Sequence, residues 1–112
     1  MNTTSIGNKA ELTVVEWLEA NGYRVIDKNW KTRWCEIDIV AVHEGIVSFI
    51  EVRHRRSDTW GDGIDSITNK KRKQVEFAAH FWLHQKKWQG DARIMIVATA
   101  GEPPHVRDVV EL

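Results

Sequence analysis

Acidic residues stand in two segments of the chain that are otherwise typical of a β-sheet core. Asp38 lies in the segment E-I-D-I-V, and Glu51 lies in the segment F-I-E-V-R. Because side chains alternate between the two faces of a strand, Glu51 and Arg53 are expected to share a face with the apolar Phe49. Carboxylates among such residues are suited to binding a metal ion or to acid–base chemistry.

The hairpin between these segments determines whether the two acids meet. If Val42 pairs with Val47 across a four-residue loop, Asp38 lies directly opposite Glu51. Facing carboxylates repel each other, and removing them from water costs several kcal/mol. A divalent cation such as Mg²⁺, which binds one or two carboxylates together with water and phosphate oxygens, would offset that cost.

Two alternatives require no metal ion. Arg53 or Lys71 could neutralise the acidic pair directly. A register shifted by one residue would instead send the acids to different faces, so that they do not meet. The spacing of the residues leaves these interpretations open.

Two predicted helices add charged residues to apolar stripes. Glu11 shares a helical stripe with Val14 and Leu18, which indicates either a third acid directed at the site or a favourable interaction with the helix dipole. Lys71 lies on the stripe of Val75 in the second helix. Its side chain is expected either to extend outward to solvent or to reach a carboxylate or a phosphate.

The charge of the chain is balanced overall but unevenly distributed. Lys and Arg number 16, as do Asp and Glu, yet residues 52–90 carry nine basic and four acidic residues, a net charge of +5. Such a segment can form a basic face that attracts phosphate, although a solvated helix surface explains the lysines equally well. The candidate contacts to nucleic acid are Arg55, Arg56, Lys70, Arg72 and Lys73, with Trp60 available to stack on a base.

The elements that must position these residues follow from hydrophobic periodicity and turn signals. Helical spacing predicts helices over residues 5–20 and 66–85, the second capped by Ser66 or Thr68. Extended, β-branched segments predict strands over residues 23–30, 36–42, 46–53, 93–99 and 106–110. The order α-β-β-β-α-β, with a short final strand, predicts an α/β fold with a mixed four- to five-stranded sheet flanked by helices.

Length and composition set the general class. A chain of 112 residues with 42% hydrophobic and 29% charged residues predicts one globular domain over residues 1–112. Cys35 is the lone cysteine, and the sequence shows neither a charged-then-apolar leader nor an apolar run of membrane length, which predicts a cytoplasmic protein without membrane partners. No phosphate-binding glycine loop or dinucleotide fingerprint is found, so nucleotide cofactors are not expected.

Several motifs together resemble the YraN family of small bacterial proteins. They are G-N-K-A-E near the start, N-W at residues 29–30, E-I-D-I-V, F-I-E-V-R-H-R, W-G at residues 60–61 and a K…A-x-x-W-L helix. The resemblance runs in order over nearly the whole chain. That family is in turn similar to the PD-(D/E)XK nucleases, which implies a restriction-endonuclease-like fold.

The resemblance also implies roles for individual residues. Asp38 takes the place of the first Asp of the nuclease motif, Glu51 that of its second acid and Arg53 that of its Lys. Glu11 corresponds to the acid on the preceding helix and is expected to bind the metal ion as a third or water-mediated ligand beside Asp38 and Glu51. Lys71 falls where the family has a basic helix residue. Arg53 departs from the nuclease pattern, because a permanently charged arginine cannot act as a base and is limited to binding phosphate or stabilising charge in the transition state.

The functions expected from sequence fall into three classes. The first is a Mg²⁺- or Mn²⁺-dependent endonuclease holding one or two ions, with DNA favoured over RNA and a homodimer suggested by analogy with related nucleases. The second is a catalytically inactive nucleic-acid-binding module with the same fold. The third is a structural protein in which the basic segment is ordinary surface.

Overall fold

The computed structural model describes residues 6–55 and 67–112, and it has the predicted order of helices and strands. The elements are α1 (Ile6–Ala20), β1 (Arg24–Lys31), β2 (Glu36–His43), β3 (Ile46–Arg55), α2 (Asn69–Lys86), β4 (Asp91–Ala100) and β5 (His105–Glu111). The five strands form one sheet in the order β1-β2-β3-β4-β5. Strands β3 and β4 are parallel and the other neighbours are antiparallel, which confirms the predicted mixed sheet flanked by helices.

A tight turn sets the register of the β2–β3 hairpin. Glu44 and Gly45 both have positive φ angles, 53° and 79°, and they connect His43 directly to its partner Ile46. Two-residue turns with positive φ at both positions match the twist of an antiparallel pair, and glycine adopts such angles readily. The pairing continues through Val42 and Val47, as the sequence predicts.

The two helices cover opposite faces of the sheet. Val14 and Leu18 of α1 pack on a core cluster that includes Ile39, Ile50 and Val97. On the other face, α2 contributes a second cluster. Its buried residues are Ala78, Ala79 and Trp82 of the helix with Ile37, Val40, Val47 and Phe49 of the sheet. This three-layer arrangement buries the central strands on both sides, which explains why they are nearly continuous apolar runs.

Helix α2 is the crossover between the parallel strands β3 and β4, and its start is set by a capping residue. The Thr68 hydroxyl accepts a hydrogen bond from the Lys71 backbone N–H at 3.1 Å, and Thr68 itself is extended. The helix therefore begins at Asn69, later than the predicted start, and Thr68 rather than Ser66 is its cap. Of the helices in the described ranges, none is long and apolar enough to cross a membrane.

Candidate functional site

Asp38 lies where the β2–β3 pairing ends. The last paired residues of the hairpin in this direction are Ile39 and Ile50, and one residue further on Asp38 Oδ2 accepts a hydrogen bond from the Val52 backbone N–H at 2.8 Å. The carboxylate thus binds the β3 backbone beside Glu51. The predicted register is confirmed from His43 and Ile46 to Ile39 and Ile50, but the pairing stops before the predicted pair of Asp38 and Glu51. The Asp38 carboxylate instead contacts the backbone of Val52, on the strand that carries Glu51.

The alternation of side chains along β2 is interrupted next to Asp38. Ile37 belongs to the core cluster under α2, whereas Ile39 belongs to the cluster under α1. Residues two apart on a regular strand point to the same face, so the strand must twist between them. On the neighbouring strand, Asn29 lies between the paired residues Lys28 and Trp30 and has a φ of 50°. Asp38 is therefore in a local irregularity of the sheet.

Glu51 faces α2, and two cations hold its carboxylate. Lys71 Nζ lies 3.2 Å from Glu51 Oε2, and Arg53 Nη1 lies 3.6 Å from the same oxygen. The Glu51 side chain is only 12% exposed, so these contacts offset much of the cost of its burial. The sequence left open whether Arg53 or Lys71 neutralises the acids, and in this structure both contact Glu51. It also left open where the Lys71 side chain extends, and the structure shows that it reaches a carboxylate.

Asp38 is in a different electrostatic environment. The pKa of its carboxyl group is raised from 3.8 to about 6. Burial is the largest cause, the hydrogen bond from Val52 opposes it, and the negative charges of Glu51 and Glu11 add to the increase. Lys71 has a smaller opposing effect. A raised carboxyl pKa beside a second acid is typical of sites that bind a cation or move a proton.

Glu11, on α1, affects Asp38 through its charge. It is partly buried on α1, and its charge contributes to the raised pKa of Asp38. Among the described residues, no group of three or more His, Cys, Asp or Glu side chains is arranged to hold a metal ion. The candidate site consists of Asp38 and Glu51 on the hairpin, and Glu11 acts on Asp38 through its charge.

Two carboxylates suit the cation that the sequence predicts. Mg²⁺ and similar hard cations prefer oxygen ligands, and Mg²⁺ commonly uses one or two protein carboxylates while water and phosphate oxygens complete its coordination. Asp38 and Glu51 supply that donor set. A bound cation would favour the charged form of Asp38, which burial and, to a smaller extent, the charges of Glu51 and Glu11 disfavour.

The predicted nucleic-acid contacts fall into three groups. Lys70 and Lys73 are exposed near the start of α2 and border the same cleft as Lys71. Arg72 instead forms an ion pair with Glu76, with 3.8 Å between Nε and Oε2, and Arg55 is partly buried at the end of β3. Arg56 and Trp60 lie outside the described residues, so their predicted contacts stay predictions.

Sequence reasoning missed two aromatic residues close to this site. Trp34, in the connection between β1 and β2, and Phe77, on α2, border the cleft together with Lys71. The available signal was the segment K-T-R-W at residues 31–34, which places basic residues beside an aromatic one in a polar turn. Phe77 had a second signal, because it lies off the apolar stripe of its helix and cannot be explained by the core.

Comparison with known proteins identifies the relatives of this chain. Residues 10–99 match the model of the family described as "Uncharacterised protein family UPF0102". The chain is 35% identical to a UPF0102 protein of Cytophaga hutchinsonii, over 92% of this chain and 93% of that protein. It is 42% identical to a UPF0102 protein of Myxococcus xanthus, over 75% of this chain and 67% of that protein.

The matched region runs from α1 through β4 and includes Glu11, Asp38, Glu51, Arg53 and Lys71. Family assignment therefore covers the helix, hairpin and crossover that build the candidate site. The chain belongs to the UPF0102 family, the YraN family that its sequence motifs resemble.

Proposed function

We propose that this protein is a metal-dependent phosphodiester hydrolase that acts as an endonuclease on nucleic acid, with DNA as the expected substrate. The observation that carries the proposal is the position of Asp38, whose carboxylate is held against the β3 backbone at Val52, next to Glu51, and whose pKa is raised to about 6 by burial and by the charges of Glu51 and Glu11. The resemblance of these motifs to PD-(D/E)XK nucleases supports the same assignment.

Asp38 and Glu51 are the residues that would hold Mg²⁺ or Mn²⁺. Such an ion supplies an activated water molecule and offsets the charge on a scissile phosphate. Asp38 is kept in position by Val52 N–H, so one of its oxygens is already oriented by the β3 backbone. Glu51 would exchange part of its contact with Lys71 and Arg53 for the metal ion.

The two cations beside Glu51 would bind the phosphate group of the substrate. Arg53 and Lys71 both lie within 4 Å of Glu51 Oε2, so a phosphate at the metal site would be within their reach. Arginine is always protonated and presents several donors to an anion, which suits it to stabilising negative charge rather than removing a proton. Glu11 would add to the negative potential that attracts the metal ion.

A specific observation also favours a second function, that of a nucleic-acid-binding module without hydrolysis. Both cations contact Glu51 directly, and Arg53 stands where the nuclease motif has a lysine. If Glu51 keeps these partners when nucleic acid binds, the site retains its basic rim but lacks one of its two metal ligands.

A cleavage assay separates the two functions. Duplex, branched and single-stranded oligonucleotides are incubated with Mg²⁺ or Mn²⁺ and the wild-type protein, Glu51→Gln or the control Glu76→Gln. The hydrolase proposal predicts cleavage by the wild type and the control and its loss in Glu51→Gln. Binding without cleavage by all three proteins would support the module instead.

A further inference from the structure

A cleft of about 890 Å³ opens beside the two-carboxylate site. One wall is the β1–β2 connection, residues 31–36, and the other is the start of α2, residues 69–77. Lys71 borders this cleft while its ammonium group contacts Glu51, so Lys71 links the cleft to the candidate site. A ligand lying in the cleft would therefore approach Asp38 and Glu51.

Aromatic rings line the cleft, although they are largely exposed to water. Trp34 is 66% exposed and Phe77 is 52% exposed. Each packs against Phe81, with ring centroids 6.0 Å and 6.1 Å apart, and Trp30 contacts Phe81 from the sheet. The rings are thus supported from behind while much of their surface stays accessible, an arrangement that suits stacking on a flat ligand.

The walls of the cleft are strongly basic. Besides Lys71, the border contains Lys31, Arg33, Lys70 and Lys73, against the single acid Glu36. Within residues 6–55 and 67–112, none of these four additional cations forms an ion pair, and the Arg33 guanidinium lies 5.4 Å from the centre of a Trp34 ring. Cations on both walls make the cleft complementary to a polyanion.

We propose that this cleft binds a single-stranded segment of nucleic acid and delivers it to the candidate site. The bases would stack on Trp34 and Phe77, and the phosphates would contact Lys31, Arg33, Lys70 and Lys73. Duplex bases are already stacked on each other and cannot cover these rings, whereas an unpaired strand exposes its base faces. The inference rests on the proposed function, because it names the substrate region that the hydrolase would recognise.

Binding in the absence of metal tests the cleft separately from hydrolysis. A fluorescein-labelled oligothymidylate of about twelve nucleotides, a length within the range of known single-strand sites, is titrated in EDTA and followed by fluorescence anisotropy. Trp34→Ala and Phe77→Ala should each raise the dissociation constant about tenfold. Leu12→Ala is the matched control, because Leu12 is 51% exposed on α1 and lies outside the cleft.

The dependence of binding on salt provides a second measurement. The logarithm of the binding constant for a single strand falls with the logarithm of salt concentration by about 0.7 for each phosphate contact. The double variant Lys70→Ala/Lys73→Ala should therefore reduce the slope by about 1.4. The single variant Lys28→Ala, which alters an exposed lysine on β1 outside the cleft, should leave the slope unchanged.

The outcomes distinguish the cleft from the catalytic proposal. If Glu51→Gln binds the strand tightly in EDTA and the wild type does not cleave when metal is restored, the proposal of single-strand binding in the cleft is supported and the hydrolase proposal is overturned. If the wild type cleaves but Trp34→Ala and Phe77→Ala bind the strand with unchanged affinity, only the proposal of single-strand binding in the cleft is overturned. Equal affinity for duplex, or displacement of the strand by an acidic peptide at similar concentration, would likewise overturn its assignment to single strands.

Discussion

Replacing Asp38 with asparagine should stabilise the protein at alkaline pH, although it removes a residue of the candidate site. Asparagine is close in shape to a protonated aspartic acid, and its side-chain oxygen can still accept the hydrogen bond from Val52 N–H. It lacks the negative charge that burial and the neighbouring acids Glu51 and Glu11 disfavour. The substitution therefore removes an electrostatic penalty while keeping the local contact.

The magnitude follows from the difference in pKa between the folded and unfolded states. Folding raises the pKa of Asp38 from 3.8 to about 6. Each unit corresponds to about 1.4 kcal/mol, so the charged form of this residue destabilises the folded state by about 3 kcal/mol. The wild type keeps its full free energy of unfolding below the unfolded-state pKa of 3.8, where Asp38 is protonated in both states. It loses about 3 kcal/mol as pH rises through the folded-state pKa of about 6.

Urea denaturation in EDTA at a series of pH values measures this effect. The free energy of unfolding of Asp38→Asn should exceed that of the wild type by up to about 3 kcal/mol near pH 8, and the difference should vanish below about pH 4. Asp91→Asn is the matched control, because Asp91 is an exposed acid at the start of β4. The other acids titrate alike in the wild type and in Asp38→Asn, so the difference in unfolding free energy between these two proteins isolates the effect of Asp38.

Two results would refute the reasoning. If Asp38→Asn is less stable than the wild type near pH 8, the charged carboxylate is favourable in the folded state and its environment has been misread. If the variant differs from the wild type by the same amount at every pH, the effect is one of packing or hydrogen bonding rather than of charge.

Three further measurements test the surroundings of the site. Mg²⁺ at about ten times its dissociation constant should stabilise the wild type by about 1.4 kcal/mol relative to NaCl of equal ionic strength, and Glu51→Gln should lose this gain in urea denaturation. Lys71→Gln should destabilise the protein by about 1 kcal/mol, because Glu51 loses its nearer cation; equal loss in Lys70→Gln, which alters an exposed neighbour, would contradict this. Thr68→Ala should cost about 1 kcal/mol in thermal or urea unfolding through loss of the α2 cap, and Thr68→Ser should restore most of it.

The register of the hairpin could be predicted because local patterns specify it. The turn residues Glu44-Gly45 stand between two apolar segments, and a two-residue turn there pairs His43 with Ile46. The pairing runs through Val42 and Val47 and ends at Ile39 and Ile50, so Asp38 and Glu51 each lie one residue beyond the last pair. The position of the acids therefore follows from short-range sequence information.

The environment of Asp38 could not be predicted in the same way. The rule of alternation assumes a regular strand, whereas Ile37 and Ile39 lie in different core clusters. The hydrogen bond from Val52 N–H depends on this irregularity, and no residue type in E-I-D-I-V signals it. Likewise, the cleft between Trp34 and Phe77 joins segments distant in sequence, so its formation depends on packing of α2 against the sheet.

Asp38 and Glu51 differ in how their negative charge is balanced. This difference links the stability of the protein to the proposed binding of a metal ion. Glu51 contacts two cations, whereas Asp38 is bound by a neutral backbone N–H and lies near two other acids. A proton and a metal ion can each relieve the charge on Asp38, so they should compete for it. Stabilisation by Mg²⁺ should accordingly weaken as pH falls through about 6. If Mg²⁺ stabilises the wild type equally at about pH 5 and about pH 8, the ion does not compete with the proton on Asp38 and binds elsewhere.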